Sequence, residues 1–239
     1  MQTRAIVLRT IKYNEDSIIA NLLTEERGCM SMIVRISRAK RAAVRHTLFQ
    51  PPAILHIEWT DRPRAELQRP TAVQSAFPFS SIPYDPYKNA MALFLSEFLY
   101  YAIKSEPDAR SLFEYLERSL EWLDTAEHGY SNFHLVFLLR LTRFLGFAPN
   151  IHHATAGCYF DLRGSCFTEQ VPAHNDYLEP RDAALVPTLL RMAFGNMHVF
   201  KFSGAERSRL LEYINTYYRL HLPDFPELKS LAVLKELFQ

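Results

Sequence analysis

The residues best suited to chemistry lie in one short stretch, residues 35–46, which read RISRAKRAAVRH. The stretch contains five cations and no acidic side chain, and it ends on a histidine. Guanidinium and ammonium groups neutralise phosphates without reading base sequence, and aromatic rings add stacking for a single strand. We therefore predict a nucleic-acid-binding site made of this stretch and a tyrosine in a polar segment: Arg35, Arg38, Lys40, Arg41, Arg45, His46 and Tyr13.

Four aromatic residues of this region are candidates for stacking on bases, and each has a structural alternative. Phe49 and Trp59 fit core packing better, because they belong to apolar segments. Tyr13 and His46 lie in polar surroundings, where a binding role and a structural role stay equally open.

The charge distribution supports the same interpretation. Residues 1–70 carry 12 Lys/Arg and 7 Asp/Glu, residues 71–239 carry 15 and 19, and the whole chain has a formal charge of only +1. A basic N-terminal part on a slightly acidic remainder predicts nucleic-acid contact in the first part and protein contact in the second. The alternative is a chance imbalance on a solvated surface.

A metal site and a catalytic site are both disfavoured. Cys158 and Cys166 lie near His152, His153 and His174, but zinc ligands pair at spacings of roughly two to four residues, and no C-x-x-C pair exists. A hairpin or loop with buried thiols and surface histidines fits better. The chain also lacks a phosphate-binding glycine loop, a nucleophile elbow and a zinc-protease helix. The residues therefore show no recognisable catalytic centre, and we expect no zinc or other cofactor.

The compartment follows from cysteines and hydropathy. Three cysteines without framework spacing argue against a secreted disulfide scaffold. The first residues lack the apolar core of a signal peptide, and the longest apolar run, Leu135–Leu139, is far shorter than the roughly 20 residues of a membrane span. A cytoplasmic protein is expected.

A second candidate site lies on an apolar helix, FHLVFLLRLTRFLG. An arginine at one end of an aromatic stripe can bind a partner segment that ends in an aromatic ring and a carboxylate. The alternative is that the arginines extend their stems over the core and place their charged groups in water. The predicted partner-binding residues are Phe133, Phe137, Arg140, Arg143 and Phe144.

Short strands must position the basic stretch. Alternating apolar residues and turn residues predict five strands in residues 3–74, at Ala5–Thr10, Ser17–Leu23, Met30–Ile36, Ala53–Trp59 and Ala65–Arg69. Five short strands in about seventy residues are typical of the OB-fold, a small barrel that binds ligands on one strand face and through its loops. The basic stretch then forms the loop after the third strand.

Helical periodicity begins after the proline-rich segment 77–86, with Asp85 as an N-cap and Pro86 at the first helical position. A second helix follows Pro107, and a third is capped by Ser131 or Asn132 and ends at Gly146. Helices resume over about 182–194, 204–221 and 228–238, after an irregular insert at 150–180. The fold class is thus α+β and multidomain: an OB-fold barrel (1–76), a connector (77–86) and an all-helical domain with the insert (87–239).

Three segments, in order, resemble the RecO family of bacterial recombination mediators. They are AIVLRTIKYNEDSIIANLLTEERG, then SMIVRISRAKRAAVRHTLFQPPAILHIEW, and the helix FLLRLTRFLGFAPN with a closing LKSLAVLKEL. The resemblance covers essentially the whole chain. It implies an N-terminal OB-fold, a helical C-terminal domain and no catalytic turnover.

The resemblance also implies a function. Members of the family bind and anneal single-stranded DNA, work with RecR, dock on the C-terminal tail of single-strand binding protein, and so help to load RecA. Two departures stand out: many members carry a four-cysteine zinc module where this chain has only Cys158 and Cys166, and some place a cation early in the central helix, where this chain is apolar. The alternative function is an OB-fold adaptor that binds RNA or bridges proteins without recombination activity.

Overall fold

The computed structural model describes residues 1–36, 44–62, 64–103 and 109–237, with only the backbone of residue 109. Three predicted DNA-binding residues, Arg38, Lys40 and Arg41, lie outside this described part of the chain. Contacts divide the chain into two compact units. Unit 1 comprises Met1–Thr125 with Leu228–Leu234, and unit 2 comprises Ala126–Glu227 and the residues from Lys235 onward.

Unit 1 begins with a five-stranded antiparallel sheet of order β3-β2-β1-β4-β5. Its strands are β1 (Gln2–Asn14), β2 (Ser17–Thr24), β3 (Gly28–Arg35), β4 (Ile54–Trp59) and β5 (Pro70–Phe77). The sheet closes on itself just before β5, where the Ile33 N–H donates to the Gln68 carbonyl at 2.9 Å and the Gln68 N–H donates to the Ser31 carbonyl at 3.2 Å. This five-stranded antiparallel sheet, followed by helices, is consistent with the predicted OB-fold and helical region.

Alternate residues of the strands fill the barrel, as a period of two requires. They are joined there by Phe49 and Trp59, which are 1% and 3% exposed, so both aromatic residues are core residues as predicted. The opposite side of the sheet is also buried in part, at Ile6, Leu23 and Ile54. Helix α1 (Pro86–Ala102) packs on β1 and helix α2 (Ala109–Thr125) packs on β2, so one half of the outer side of the sheet is covered.

The fifth strand differs from the sequence prediction. Ala65–Arg69 is not a strand. The fifth strand, β5, begins at Pro70 and ends at Phe77, which is the first residue of the predicted connector. The Gln68 amide donates to the carbonyls of Arg62 and Ala65 and accepts from the Arg62 N–H, so the side chain holds this segment as a compact turn. Pro70 fits the first position of a strand, where its missing N–H costs no ladder bond.

The caps of α1 agree with the sequence. The Asp85 carboxylate accepts from the N–H groups of Tyr87 and Lys88, and Pro86 occupies the first turn. A buried carboxylate at the end of α2, Asp124, accepts from the backbone N–H groups of Ser80, Ser81 and Ile82, each at 2.8 Å. The segment before α1 is therefore fixed to α2 by charge-assisted hydrogen bonds.

Unit 2 is built around α3 (Phe133–Phe144), whose residues 133–139 are all buried. Helix α6 (Gly204–His221) lies against α3, and the Tyr218 hydroxyl donates to the Leu138 carbonyl at 2.7 Å. The prediction of a central apolar helix is confirmed. The predicted cap is only partly right: Asn132 precedes the helix, but its amide donates to the carbonyls of Met197 and Phe200 instead of capping α3.

The insert at 150–180 is more ordered than predicted. It forms a three-stranded antiparallel sheet, β7-β6-β8, from β6 (Tyr159–Asp161), β7 (Cys166–Thr168) and β8 (Tyr177–Leu178). The strands are two or three residues long, too short for a period of two to be recognised. The predicted helix 182–194 is two short helices, α4 (Pro180–Ala183) and α5 (Leu185–Arg191). The last helix, α7, is Lys229–Leu237.

The predicted connector does not separate the compact units, because α1 and α2 belong with the barrel in unit 1. Their apolar faces cover β1 and β2. The division into an OB-fold domain (1–76) and a helical domain (87–239) stays a prediction. Within the described residues, no helix is long and apolar enough to cross a membrane.

Candidate nucleic-acid interface

The uncovered half of the sheet carries three cross-strand rows of side chains. Directly paired residues of antiparallel strands point to the same side, and the register gives the rows Arg9–Asn21–Ser31, Ile11–Ile19–Ile33 and Ser17–Arg35. These residues alternate with the core residues of β1, β2 and β3, so they point away from the barrel interior. We call this set of residues the outer face.

Two cations of the outer face have no acidic partner. Arg9 and Arg35 are exposed, and neither forms an ion pair with any residue in the described part of the chain. The Arg9 guanidinium carbon lies 4.8 Å from the centre of the Tyr100 ring, on α1. Between the two arginines, Ile11 is 40% exposed and Ile19 and Ile33 are half-buried. A face with cations at both ends and apolar side chains between them suits a single-stranded nucleic acid, because its phosphates and its bases are both accessible.

The predicted loop residues that the structure describes lie where the basic stretch ends. Arg45 is exposed and precedes a 3-10 turn, His46–Leu48, and His46 is half-buried. The Phe49 carbonyl accepts from the Thr10 hydroxyl at 2.6 Å, so this turn is fastened to β1. Tyr13 is 58% exposed and is the extra residue between the pairs Lys12–Ile18 and Asn14–Ser17. Its ring is therefore available to a ligand, as a stacking role requires.

Arg4, on the covered half of β1, shows the opposite situation. Its guanidinium donates to Glu25 at 3.0 Å and to both carboxylate oxygens of Glu117 at 2.7 and 2.6 Å. The hydrogen bond from Arg4 lowers the pKa of Glu25. Burial raises the pKa of Glu117, and the charge of Arg4 opposes this rise. Arg4 is neutralised within the fold, so it is a structural residue and leaves no charge for a ligand.

Sequence reasoning missed Arg9 and Tyr100. Arg9 follows Val7 by two residues, so simple alternation would point both into the barrel. A bulge between Val7 and Arg9 reverses the direction, because Val7 pairs with Leu22 and Arg9 pairs with Asn21. An arginine at an expected core position was the available signal for this bulge. Tyr100 lies on α1 and had no sequence signal linking it to the strands.

The predicted partner site on α3 is partly corrected. Phe133 and Phe137 are fully buried, so an exposed aromatic stripe over these two residues is wrong. A helix that is apolar on all sides buries its aromatic residues too. The ring beside Arg140 is instead Phe194, whose centre lies 5.9 Å from the guanidinium carbon and which stacks on Phe133 at 5.0 Å.

The cations of the α3 site are accessible. Arg140 is half-buried, with Nη2 3.5 Å from the Met192 carbonyl, and Arg143 is exposed. Phe144 is half-buried. These three residues, together with Phe194, keep the predicted combination of ring and cation. Binding of a partner tail there stays a prediction.

The cysteines and histidines of the insert are not gathered into one site. Cys158 is buried and lies 2.9 Å from the Thr155 hydroxyl, Cys166 is half-buried, and His174 pairs with Asp161 at 3.4 Å. His152 and His153 are exposed, as predicted for surface histidines. Among the described residues, no group of three or more His, Cys, Asp or Glu side chains is arranged to hold a metal ion. Whether the protein contains zinc stays a prediction.

Two family models match the chain in sequence. Residues 1–79 match "Recombination protein O N terminal", and residues 83–232 match "Recombination protein O C terminal". Together they cover both the barrel with its outer face and the helices that follow.

Full-length relatives carry a matching name. A DNA repair protein RecO of Bacteroides fragilis is 50% identical over 238 residues, which is 99% of this chain and 98% of the relative. The DNA repair protein RecO of Phocaeicola vulgatus is 47% identical over 237 residues, again 99% and 98%. That of Flavobacterium psychrophilum is 36% identical over 240 residues, 100% of this chain and 99% of the relative.

Proposed function

The chain belongs to the RecO family of DNA repair proteins, and we propose that it binds and anneals single-stranded DNA and, with RecR, helps to load RecA onto DNA coated by single-strand binding protein. In this proposal it is a cytoplasmic binding protein without catalytic turnover. DNA, RecR and the tail of single-strand binding protein are its direct partners, and RecA is an indirect one.

The observation that carries the proposal is the pair of cations on the outer face. Arg9 and Arg35 are exposed without a carboxylate partner among the described residues, whereas Arg4 on the same strand β1 is neutralised by Glu25 and Glu117. An unneutralised cation on a protein surface binds phosphate with release of counterions. The outer face lies on β1–β3 of the barrel, and the strand 2–3 face is where OB-folds bind oligonucleotides.

Annealing requires that a strand be held without hiding its bases. Phosphate contacts by arginines position a strand and leave the base edges free. The apolar row Ile11–Ile19–Ile33 can contact the faces of bases but offers no donor or acceptor that competes with base pairing. Such a surface holds one strand while a complementary strand pairs with it.

The test measures annealing of complementary oligonucleotides coated with single-strand binding protein. Wild-type protein is expected to accelerate annealing, and the double variant Arg9→Ala/Arg35→Ala is expected to lose most of this acceleration. Arg118→Ala is the matched control, because Arg118 is an arginine on α2 whose side chain is 79% exposed. Equal annealing by wild type and double variant would contradict the role of the outer face.

A comparison of the affinities of the same proteins for DNA and RNA of one sequence separates the proposal from the alternative adaptor function. Tighter binding of RNA, with no annealing of DNA, would favour an RNA-binding adaptor. A RecR pull-down with the same variants then shows whether the outer face serves DNA alone or the partner as well.

A further inference from the structure

A cleft of about 530 Å³ opens in unit 1 beside the Arg9–Asn21–Ser31 row. Its lining includes Asn21, Ser31, Glu66 and Tyr100, from β2, β3, the turn before β5 and α1. The volume falls within the range of roughly 300–1,000 Å³ that is usual for small-molecule sites. We propose that this cleft is a pocket for one unstacked base of the bound strand and that it favours a base with an exocyclic amino group. The proposal rests on the proposed binding of single-stranded DNA.

Two residues of the cleft lining present a hydrogen-bond donor beside an acceptor. The Ser31 hydroxyl donates to Asn21 Oδ1 at 2.9 Å. The Asn21 side-chain NH2 makes no hydrogen bond to the residues that the structure describes, so it is available to an acceptor on a ligand. Since Ser31 uses its proton on Asn21, its oxygen faces a ligand only as an acceptor. A base edge with a ring nitrogen or carbonyl next to an amino group complements this arrangement.

Another lining residue adds a second acceptor. Glu66 is exposed and lines the cleft, and its ionised carboxylate only accepts hydrogen bonds. Carboxylates accept from the cytosine N4 amino group, and asparagine pairs with adenine at N6 and N7. Thymine carries a carbonyl where cytosine carries the amino group. The Asn21 donor and the Ser31 acceptor can pair with either base, because thymine offers this carbonyl next to its N3–H. The discrimination therefore rests on Glu66, whose carboxylate accepts from the cytosine amino group and repels the thymine carbonyl.

The wall of the cleft supplies a stacking surface. Tyr100 is half-buried and lines the cleft, and Arg9 lies over its ring at 4.8 Å. Stacking on an aromatic ring holds a base independently of its identity, and a cation over the ring strengthens the contact. Tyr100, Arg9, Asn21 and Ser31 therefore supply affinity, whereas Glu66 supplies the preference among bases.

The first test compares oligomers of dC and dT, two pyrimidines that stack similarly. We expect wild-type protein to bind the dC oligomer about fivefold more tightly, the low end of the discrimination by a good bidentate contact. Glu66→Gln is expected to bring this ratio toward one and to strengthen dT binding, because its amide can donate to the thymine carbonyl. Asn21→Leu removes a donor that either base can use, and it is expected to weaken binding of both oligomers. Arg118→Ala, which is not among the residues that line the cleft, should keep the wild-type affinities and ratio. A wild-type ratio in Glu66→Gln together with wild-type affinities in Asn21→Leu would overturn the pocket.

The second test needs no variant. Cys29 is exposed and lines the cleft, whereas Cys166 lies in unit 2 and is an internal reference. Saturating dC oligomer should slow alkylation of Cys29 by iodoacetamide several-fold and leave Cys166 unchanged, as read by mass spectrometry. Binding without protection of Cys29 and without base preference overturns the pocket alone. Failure of wild-type protein to bind any single strand overturns the proposed function and the pocket together.

Discussion

The covered and uncovered halves of β1 use the same residue type in opposite ways. Under α1 and α2, Arg4 donates to Glu25 and Glu117, and its side chain is only 33% exposed. Arg9 lies five residues further along the strand, in the uncovered half. The Tyr100 ring lies beside it, and no carboxylate among the described residues pairs with it. The difference teaches that the location of the counter-charge decides the role of an arginine. A charge neutralised by carboxylates within the fold is not available to a ligand, whereas an exposed charge without a carboxylate partner among the described residues is available.

The largest expected effect comes from breaking the neutralised half. Glu117→Ala removes one of two carboxylates that neutralise Arg4, and with it two charge-assisted hydrogen bonds from the Arg4 guanidinium, each worth roughly 1.5–3 kcal/mol. Because Glu25 still pairs with Arg4 and a third of the Arg4 side chain is exposed, we expect a loss of about 2–3 kcal/mol of unfolding free energy in urea, with DNA affinity unchanged. Arg118→Ala breaks only an exposed pair with Glu114 and should cost below about 0.5 kcal/mol. A loss for Glu117→Ala as small as that of Arg118→Ala would contradict the structural role of this cluster.

The second prediction concerns cations assigned to the ligand. The triple variant Arg38→Ala/Lys40→Ala/Arg41→Ala should weaken binding of single-stranded DNA and reduce the slope of log affinity against log salt. The expected reduction is about 0.7 for each lost phosphate contact, so about 2 in total. Urea unfolding should match wild type, in contrast to Glu117→Ala. An unchanged slope in a folded triple variant would show that this loop does not contact phosphate.

Local patterns account for the elements that the sequence predicted well. The alternation over residues 30–36 depends on neighbours in the strand, and the Asp85–Pro86 cap depends on the first turn of one helix. The elements that it missed depend on distant contacts or on backbone irregularities. The true β5 follows a turn held by the Gln68 side chain, and the strands of the insert are too short to show a period.

The candidate site was predictable to a similar degree. The cationic loop is visible as composition, but the outward direction of Arg9 depends on a bulge. The contact between Arg9 and Tyr100 joins β1 to α1, which only the tertiary fold determines. Phe133 and Phe137 were predicted to bind a partner, but both are fully buried. A helix that is apolar all round gives no sign of which part reaches the surface.

A third prediction extends the comparison to a histidine that is kept uncharged mainly by burial. His134 on α3 is 1% exposed, and burial, with a smaller contribution from the charge of Arg207, lowers its pKa to about 3. The folded protein thus keeps His134 neutral, whereas in the unfolded chain this histidine takes up a proton below about pH 6.5. Stability from this group is complete above pH 6.5 and falls with pH toward 3, by about 1.4 kcal/mol per unit. We expect a loss of about 2 kcal/mol at pH 5 relative to pH 7, measured by urea unfolding.

The matched variants separate this histidine from the other titrating groups. His134→Leu should abolish this part of the pH dependence, whatever its own stability at pH 7. His152→Ala, at an exposed position, should leave the dependence as in wild type. Identical pH profiles for wild type and His134→Leu would contradict the proposed exclusion of the proton.

A fourth prediction asks whether the cations of α3 behave like Arg9 or like Arg4. If Arg140 meets the carboxyl end of an acidic tail, its loss removes a charged hydrogen bond worth roughly 1.5–3 kcal/mol, so about tenfold or more in affinity. The measurement is titration of a labelled tail peptide against wild type, Arg140→Ala and Arg143→Ala. Arg191→Ala, an exposed arginine on α5, is the control. Wild-type affinity in both α3 variants would place the tail site elsewhere on unit 2.

The smallest expected effect is on the insert, which we expect to fold without zinc. Pairs within the insert place opposite charges side by side: Arg163 pairs with Asp176 at 2.5 Å, and His174 pairs with Asp161. Phe160, Phe167 and Leu178 pack with Cys158 in a shared apolar cluster, so the thiol already has a packing role. A chelator should therefore leave the melting temperature unchanged, and purified protein should contain substoichiometric zinc. One tightly held zinc per chain, lost together with the fold of unit 2, would show that the insert depends on a metal. The insert would then differ from the covered half of β1, where carboxylates of the chain itself neutralise the charge of Arg4.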